Sequence, residues 1–284
     1  MKPDDLHRAA SRKSIDEWYE VLLGTVEDRQ WEEFELPGFP PDAMQAGFVG
    51  SANQHALTEA LTFYRAIHQY MAKEDVVLGA SDNVLDFGCG WGRYMRFFYR
   101  DVKWDHLYGI DPWHEAIEVC KRTGVYGQLV KSELMPPTPL RSGMFKLIFA
   151  YSVFSHLSPR AADAWIAEFH RLIAPGGLVV VTTQGRSFID FCASLRGAPP
   201  ASEWHKVLQN SFVDEQRAKR EYDAGEFLYE PNSGGPELHG DIYGDAIVPE
   251  GYVRRAWAKY FDVVDFVDDR GYLPQALIVM KAKG

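Results

Sequence analysis

The sequence is poor in cysteine. Among 284 residues there are three, Cys89, Cys120 and Cys192, far apart in the chain. Disulfide frameworks and zinc sites need cysteines in recurring close spacings, so neither is expected, nor is any metal site. Three reduced thiols in a cytoplasmic protein is the reading that agrees with where disulfides form. Long apolar runs are lacking too. No stretch approaches the about 18 residues of a membrane helix, and the opening Met-Lys-Pro-Asp-Asp-Leu-His offers no apolar segment for a signal sequence, so no membrane partner is expected. Basic charge is scarce: 30 Lys and Arg stand against 40 Asp and Glu, a net charge of -10. The densest basic cluster, Arg217-Ala218-Lys219-Arg220, sits beside acidic neighbours. Nucleic-acid binding draws on Lys and Arg replacing phosphate counterions, so no nucleic acid is expected and a small-molecule partner is favoured. Repeats and low-complexity tracts are absent.

What is present suits a globular α/β chain, with 46% hydrophobic and 25% charged residues. Residues 1 to about 35 read as helical and polar, with an apolar stripe at Trp18, Tyr19, Val21, Leu22 and Leu23. Three prolines and a glycine make 36–41 an irregular link. From 54 to 73, Ala56, Leu57, Ala60, Leu61, Tyr64, Ile67 and Met71 recur at three and four, the period of an amphipathic helix. After residue 83 strands and helices alternate: strands at 84–87, 106–110, 147–151 and 178–183, helices at 93–100, 115–122 and 159–174, the last ended by Pro175-Gly176-Gly177. Such alternation implies parallel pairing with helices on both faces. Residues 184–248, rich in Gly, Pro, Trp, Tyr and charge, interrupt it as a lid-like insertion. A helix at 249–260 and strands at 261–267 and 276–281 follow. Their eight-residue link is too short for a parallel crossover, so the last two strands should be antiparallel. The expected domains are a helical extension or cap over 1–78 and an α/β domain over 79–284.

The chemistry concentrates in Val84-Leu85-Asp86-Phe87-Gly88-Cys89-Gly90-Trp91-Gly92-Arg93. Glycines at a strand end let the backbone turn sharply and approach a ligand with no Cβ between them, and the next helix offers free N–H groups to an anion. A dinucleotide fingerprint would need glycine at position 93, where Arg93 stands. Asp86 lies two residues before the first glycine, where it suits an amino group better than a pyrophosphate.

Four segments in order resemble the class I S-adenosylmethionine-dependent methyltransferases: Asp86–Arg93; Tyr108-Gly109-Ile110-Asp111; Phe145–Tyr151 running on to His156-Leu157; and Leu172–Gly177. The resemblance is close over 80–183 and looser over 250–284, and it departs where Lys146 replaces the family's usual Asp. It implies a doubly wound, mostly parallel seven-stranded sheet with an antiparallel last strand, and S-adenosyl-L-methionine as cofactor. It places Asp86, Gly88, Cys89, Gly90 and Arg93 at the methionine part and ribose, Asp111 on both ribose hydroxyls, and Pro112, Trp113, Glu133 and Leu134 around the adenine. Tyr151 would face the reacting end, with Ser152 beside it, and His156 is the candidate general base. Plainer roles compete at each point: Asp111 as a helix cap, Arg93 as a surface ion pair, Glu133 as a solvated loop carboxylate, His156 as packing ahead of the next helix. For the acceptor, Tyr229, His239 and Tyr243, together with Tyr19, Phe48, Tyr64, Trp204, Tyr222 and Phe227, are aromatic candidates. The implied activity is O- or N-methylation of a small molecule. The alternatives are an NAD-dependent oxidoreductase, a macromolecular methyltransferase or a non-catalytic S-adenosylmethionine-binding protein.

Overall fold

The computed structural model describes residues 5–232 and 238–283. The chain begins with helices α1 (Leu6–Ala10) and α2 (Ile15–Gly24). Ser14 and Glu17 form a reciprocal cap on α2, the side chain of each accepting the other's backbone N–H. A small hairpin of β1 (Gln30–Trp31) and β2 (Phe34–Glu35) follows where helix was expected. Helices α3 (Asp42–Val49) and α4 (Asn53–Lys73) come next. The apolar stripe of α4 is buried as its period predicts, Ala56, Leu57, Ala60, Tyr64 and Ile67 being fully covered. Its start is built differently: Asn53 has φ +52°, and its N–H is taken by Oε1 of buried Gln45 at 2.8 Å. The same amide donates to the Pro40 carbonyl at 2.7 Å, which ties α3 and the proline-rich link to α4.

The alternating part contains β3 (Val84–Phe87), α5 (Met95–Phe98), β4 (Leu107–Asp111), α6 (His114–Thr123), β5 (Gln128–Lys131), β6 (Phe145–Ala150), α7 (Pro159–Leu172) and β7 (Ile173–Thr183). Strand β5, whose residues are half exposed, was not expected. Helix α7 ends at Leu172, and the strand absorbs Pro175-Gly176-Gly177 instead of following it. The region expected as an insertion holds α8 (Ser187–Ser194), α9 (Glu203–Leu208), α10 (Glu215–Asp223) and a hairpin of β8 (Leu228–Pro231) with β9 (Gly244–Ile247). The short helix α11 (Glu250–Tyr252) runs into a π-turn over Val253–Trp257, and β10 (Phe261–Val267) and β11 (Ala276–Ala282) complete the chain.

The large sheet has seven strands in the order β10-β11-β7-β6-β3-β4-β5. Strand β3 pairs in parallel with β4 and β6, and β4 with β5. The pair β10–β11 is antiparallel, Phe261 opposite Ala282, as the short link requires. Two compact units divide the chain. The first holds residues up to Glu133 with Pro139–Phe149 and Leu172–Leu178; the second holds Leu134–Thr138, Ala150–Arg171 and Val179 onward. Among the described residues no helix is long and apolar enough to cross a membrane.

Candidate methyl-donor site

In the first unit the four residues of β3 are fully buried, so the chain leaves the sheet at Phe87 with no side chain reaching solvent. The turn that follows is knitted to the end of β4. The N–H groups of Gly88 and Cys89 both donate to the Ile110 carbonyl, at 2.8 and 3.1 Å. Gly90 N–H donates to Asp111 Oδ2 at 3.0 Å, and the other oxygen of that carboxylate accepts Trp113 N–H at 2.9 Å. Gly90 adopts φ +53°, and a Cβ there would lie 3.3 Å from the Phe48 ring. Gly92 adopts φ +75°, and a Cβ there would come within 2.9 Å of the Val125 methyls. Both positions call for glycine by conformation, and Gly92 by space as well.

Two carboxylates are buried here. Asp86 is 1% exposed, and its Oδ2 has no hydrogen-bond partner. Burial, then the nearby Asp111 charge, holds its carboxyl well above the usual range, with Arg93 acting the other way. Asp111 is pushed up to about 6 by burial, against the lowering effect of its two N–H donors. An acceptor oxygen left unpartnered in a dry site is costly, and it points to a cationic or N–H donor that the protein alone does not supply. The cap of α6 is Trp113, whereas Asp111 braces the turn two residues earlier. Arg93 is no surface residue: it is 3% exposed, donates to the Ala56 carbonyl at 3.1 Å and stands 3.5 Å from Glu59. Pro112 is half-buried and Trp113 40% exposed, the Trp113 ring 4.8 Å from that of Phe48. Glu133 is exposed at the end of the first unit.

The remaining expected residues belong to the second unit. The Leu134 carbonyl accepts the Trp165 indole N–H at 3.1 Å. Tyr151 is half-buried just past β6, followed by Ser152 at φ +60°. His156 is held on three sides by β9 and its lead-in. Its Nδ1 lies 2.9 Å from the Gly244 carbonyl, its own carbonyl accepts Gly244 N–H, and its ring stacks on Tyr243 at 4.9 Å. Because a carbonyl only accepts, Nδ1 carries the hydrogen, which leaves the Nε2 lone pair as the basic site. Burial lowers the pKa of the ring despite Gly244 and Asp245, so it is neutral near pH 7.

Of the aromatic acceptor candidates, Tyr64 is core, fully buried and donating to Asp101. Tyr19 is bonded to Thr58, Tyr222 to Asp268 and Tyr229 to the Gly240 carbonyl. Phe227 packs on Tyr252. Trp204 stays 46% exposed. Sequence reasoning passed over Gln45 and Cys120, whose thiol donates to the Gly90 carbonyl at 3.2 Å; it placed Phe48 with the acceptor, yet the ring lies against the glycine turn. No local pattern marks any of the three.

The profile of a known family, the methyltransferase domain, matches residues 84–177. Residues 84–177 thus carry a methyltransferase domain. S-adenosylmethionine is the cofactor of these methyltransferases, and the protein is an enzyme of that kind. No curated protein matches the chain. Among solved structures, an S-adenosylmethionine-dependent methyltransferase from Clostridium acetobutylicum is 14% identical over 78% of this chain and 92% of its own, with a TM-score of 0.52. A protein from Pyrococcus horikoshii is also 14% identical, over 82% of this chain and 92% of its own, with a TM-score of 0.50. A geranyl diphosphate C-methyltransferase from Streptomyces coelicolor is 13% identical over 99% and 97%, with a TM-score of 0.48. The first two share the fold of this methyltransferase domain at low identity.

Proposed function

We propose that the protein moves a methyl group from S-adenosylmethionine to a small organic acceptor, at oxygen or nitrogen. The observation that carries the donor site is the unpartnered Oδ2 of buried Asp86 at the mouth of a glycine turn whose next carboxylate, Asp111, keeps spare lone pairs on both oxygens. Asp86 would take the donor's amino group and Asp111 the ribose hydroxyls, since a carboxylate is acceptor-only and can receive two O–H donors. Gly88, Cys89 and Gly90 would line the turn; Pro112, Trp113, Glu133 and Leu134 would border the base. Arg93, committed to α4, would brace the turn from behind.

When bound, the sulfonium supplies a methyl group that is already strongly electrophilic. The protein's task is then to align a nucleophile, exclude water and hold the acceptor proton. The neutral ring of His156, fixed as the Nδ1–H tautomer by Gly244, presents Nε2 as the base for that proton. Tyr151 stands past the carboxyl end of β6, the side on which open α/β sheets bind ligands. The net charge of -10 supports a small acceptor over a nucleic acid.

Calorimetry with S-adenosylhomocysteine tests the donor site: Asp111→Ala and Gly90→Val, still folded by circular dichroism, should each bind at least ~10-fold more weakly, as expected for losing charge-assisted bonds or for filling the turn. Binding equal to the parent would remove the proposal. His156→Gln should cut the rate of labelled methyl transfer roughly 10²-fold or more while leaving S-adenosylhomocysteine affinity unchanged.

A further inference from the structure

Within the second unit, the residues after β7, the first turns of α8, Trp204 of α9 and the β10–β11 link border a cleft of about 210 Å³. Drug-sized ligands occupy roughly 300–1,000 Å³, so this cleft suits a smaller molecule. One wall is aromatic: Phe188 and Phe191 lie 6.0 Å apart, and Trp204 lies 6.1 Å from Phe191. Trp204 is nearly half exposed, although Leu208 of the same helix is fully buried.

Arg270 and Gln275 line the same cleft. Four other arginines of this unit are paired: Arg186 with Asp223, Arg196 with Glu215, Arg217 with Glu221 and Arg254 with Glu250. Arg270 makes no ion pair or hydrogen bond among the described residues. Its acidic neighbours are occupied, Asp268 by Arg186 N–H and the Tyr222 hydroxyl, Asp269 by the N–H of Gly271. In a chain with ten more acidic than basic residues, a guanidinium left unpaired beside aromatic rings is a cation with a place for an anion.

Gln275 is held in one orientation by a closed ring of hydrogen bonds. Ser152 N–H donates to Thr182 Oγ1 at 2.8 Å, that hydroxyl donates to Gln275 Oε1 at 2.7 Å, and Gln275 Nε2 donates to Ser152 Oγ at 2.8 Å. One N–H of the amide is left over. The ring also holds Ser152 at φ +60°, a conformation that costs a non-glycine residue free energy and needs such support.

We infer that this cleft is the acceptor pocket and that it takes a planar aromatic or conjugated carboxylate. The apolar body lies against Phe188, Phe191 and Trp204, and the carboxylate is received by the Arg270 fork with the spare Gln275 N–H. A carboxylate is favoured over a phosphate dianion because one guanidinium, preceded in sequence by Asp268 and Asp269, balances at most one negative charge. The inference rests on the reading of the chain as a methyltransferase with a small acceptor.

Calorimetry on the full chain, without donor, compares trans-cinnamate with its neutral isostere cinnamamide. Cinnamate should bind at least ~10-fold more tightly, the scale of one charge-assisted pair. Arg270→Met should abolish that preference, and Trp204→Ala should weaken both probes about fivefold or more, as lost aromatic contact does. Both side chains are exposed, so both variants should fold. Equal binding of the two probes, a preference that survives Arg270→Met, or no saturation by either would overturn the pocket. S-adenosylhomocysteine titrated into the same samples reports the donor site separately. If the parent binds it and cinnamate fails, only the pocket is lost; if the parent does not bind it, the methyltransferase reading falls and the acceptor role with it.

Discussion

At the residue scale the donor site is governed by two carboxyls whose charge is expensive where they sit. Asp86 and Asp111 are both held above the usual carboxyl range, first of all by burial. In the free protein Asp86 therefore carries a proton at pH values where an exposed carboxyl would have lost it. Placing an ammonium group against it favours the charged form and drives that proton off. Binding of S-adenosylhomocysteine at mildly acidic pH, just above the ordinary carboxyl range, should accordingly release protons, read as a dependence of calorimetric enthalpy on the buffer's ionisation enthalpy. Asp86→Asn should abolish the release, and no buffer dependence in the parent would count against the assigned role. Asp111 adds a stability signature. Its folded value of about 6 exceeds the unfolded value of about 3.9, so the folded state binds more protons between them. Its contribution to stability is fully present below about pH 4 and is lost as pH rises through 6.

At the scale of elements, the turn works because helices support it from behind. Arg96 of α5 is 1% exposed and donates to the carbonyls of Pro37 and Gly38 at 2.7 and 2.6 Å, its guanidinium lying over the Phe39 and Trp91 rings. Those contacts fix the proline-rich link that leads into α3, the helix whose Phe48 faces Gly90. Arg96→Met should destabilise the protein by about 2–3 kcal/mol, because two buried carbonyls lose their donors. Lysine should not restore it, having no fork to reach both. Gly92→Ala should cost about 1–3 kcal/mol through its positive φ and the Val125 contact. Urea unfolding reads both; changes within error for either would refute the packing described.

At the scale of the whole molecule, the donor should act as a stabiliser of the folded chain. A ligand at 100 times its Kd adds about 2.7 kcal/mol of stability, and a chain of this size gains roughly 2–4 °C in Tm per kcal/mol. S-adenosylhomocysteine should therefore raise Tm by several degrees by calorimetry while NAD leaves it unchanged. A shift with NAD alone would return the glycine turn to a dinucleotide role.

The sequence by itself determined the elements whose signals are local. Strands 84–87 and 261–267 stand where the apolar runs place them, the period of 54–73 gives the buried face of α4, and the short last link dictates an antiparallel pair. The glycine turn and Asp111 were legible because a sharp corner needs residues without a Cβ and because the motif lies within a few residues of chain. Strand β5 was not, being short and half exposed, and neither was the hairpin at 30–35. Only the tertiary structure decided which polar groups are left without partners. Arg93 reads as a reaching cation in sequence and is tied to α4 in the fold; Arg270 reads as an ordinary loop residue and stands unpaired by a cleft. Burial and pairing depend on residues distant in the chain: burial sets apart the carboxylates and the histidine, and the lack of a partner sets apart the Arg270 guanidinium.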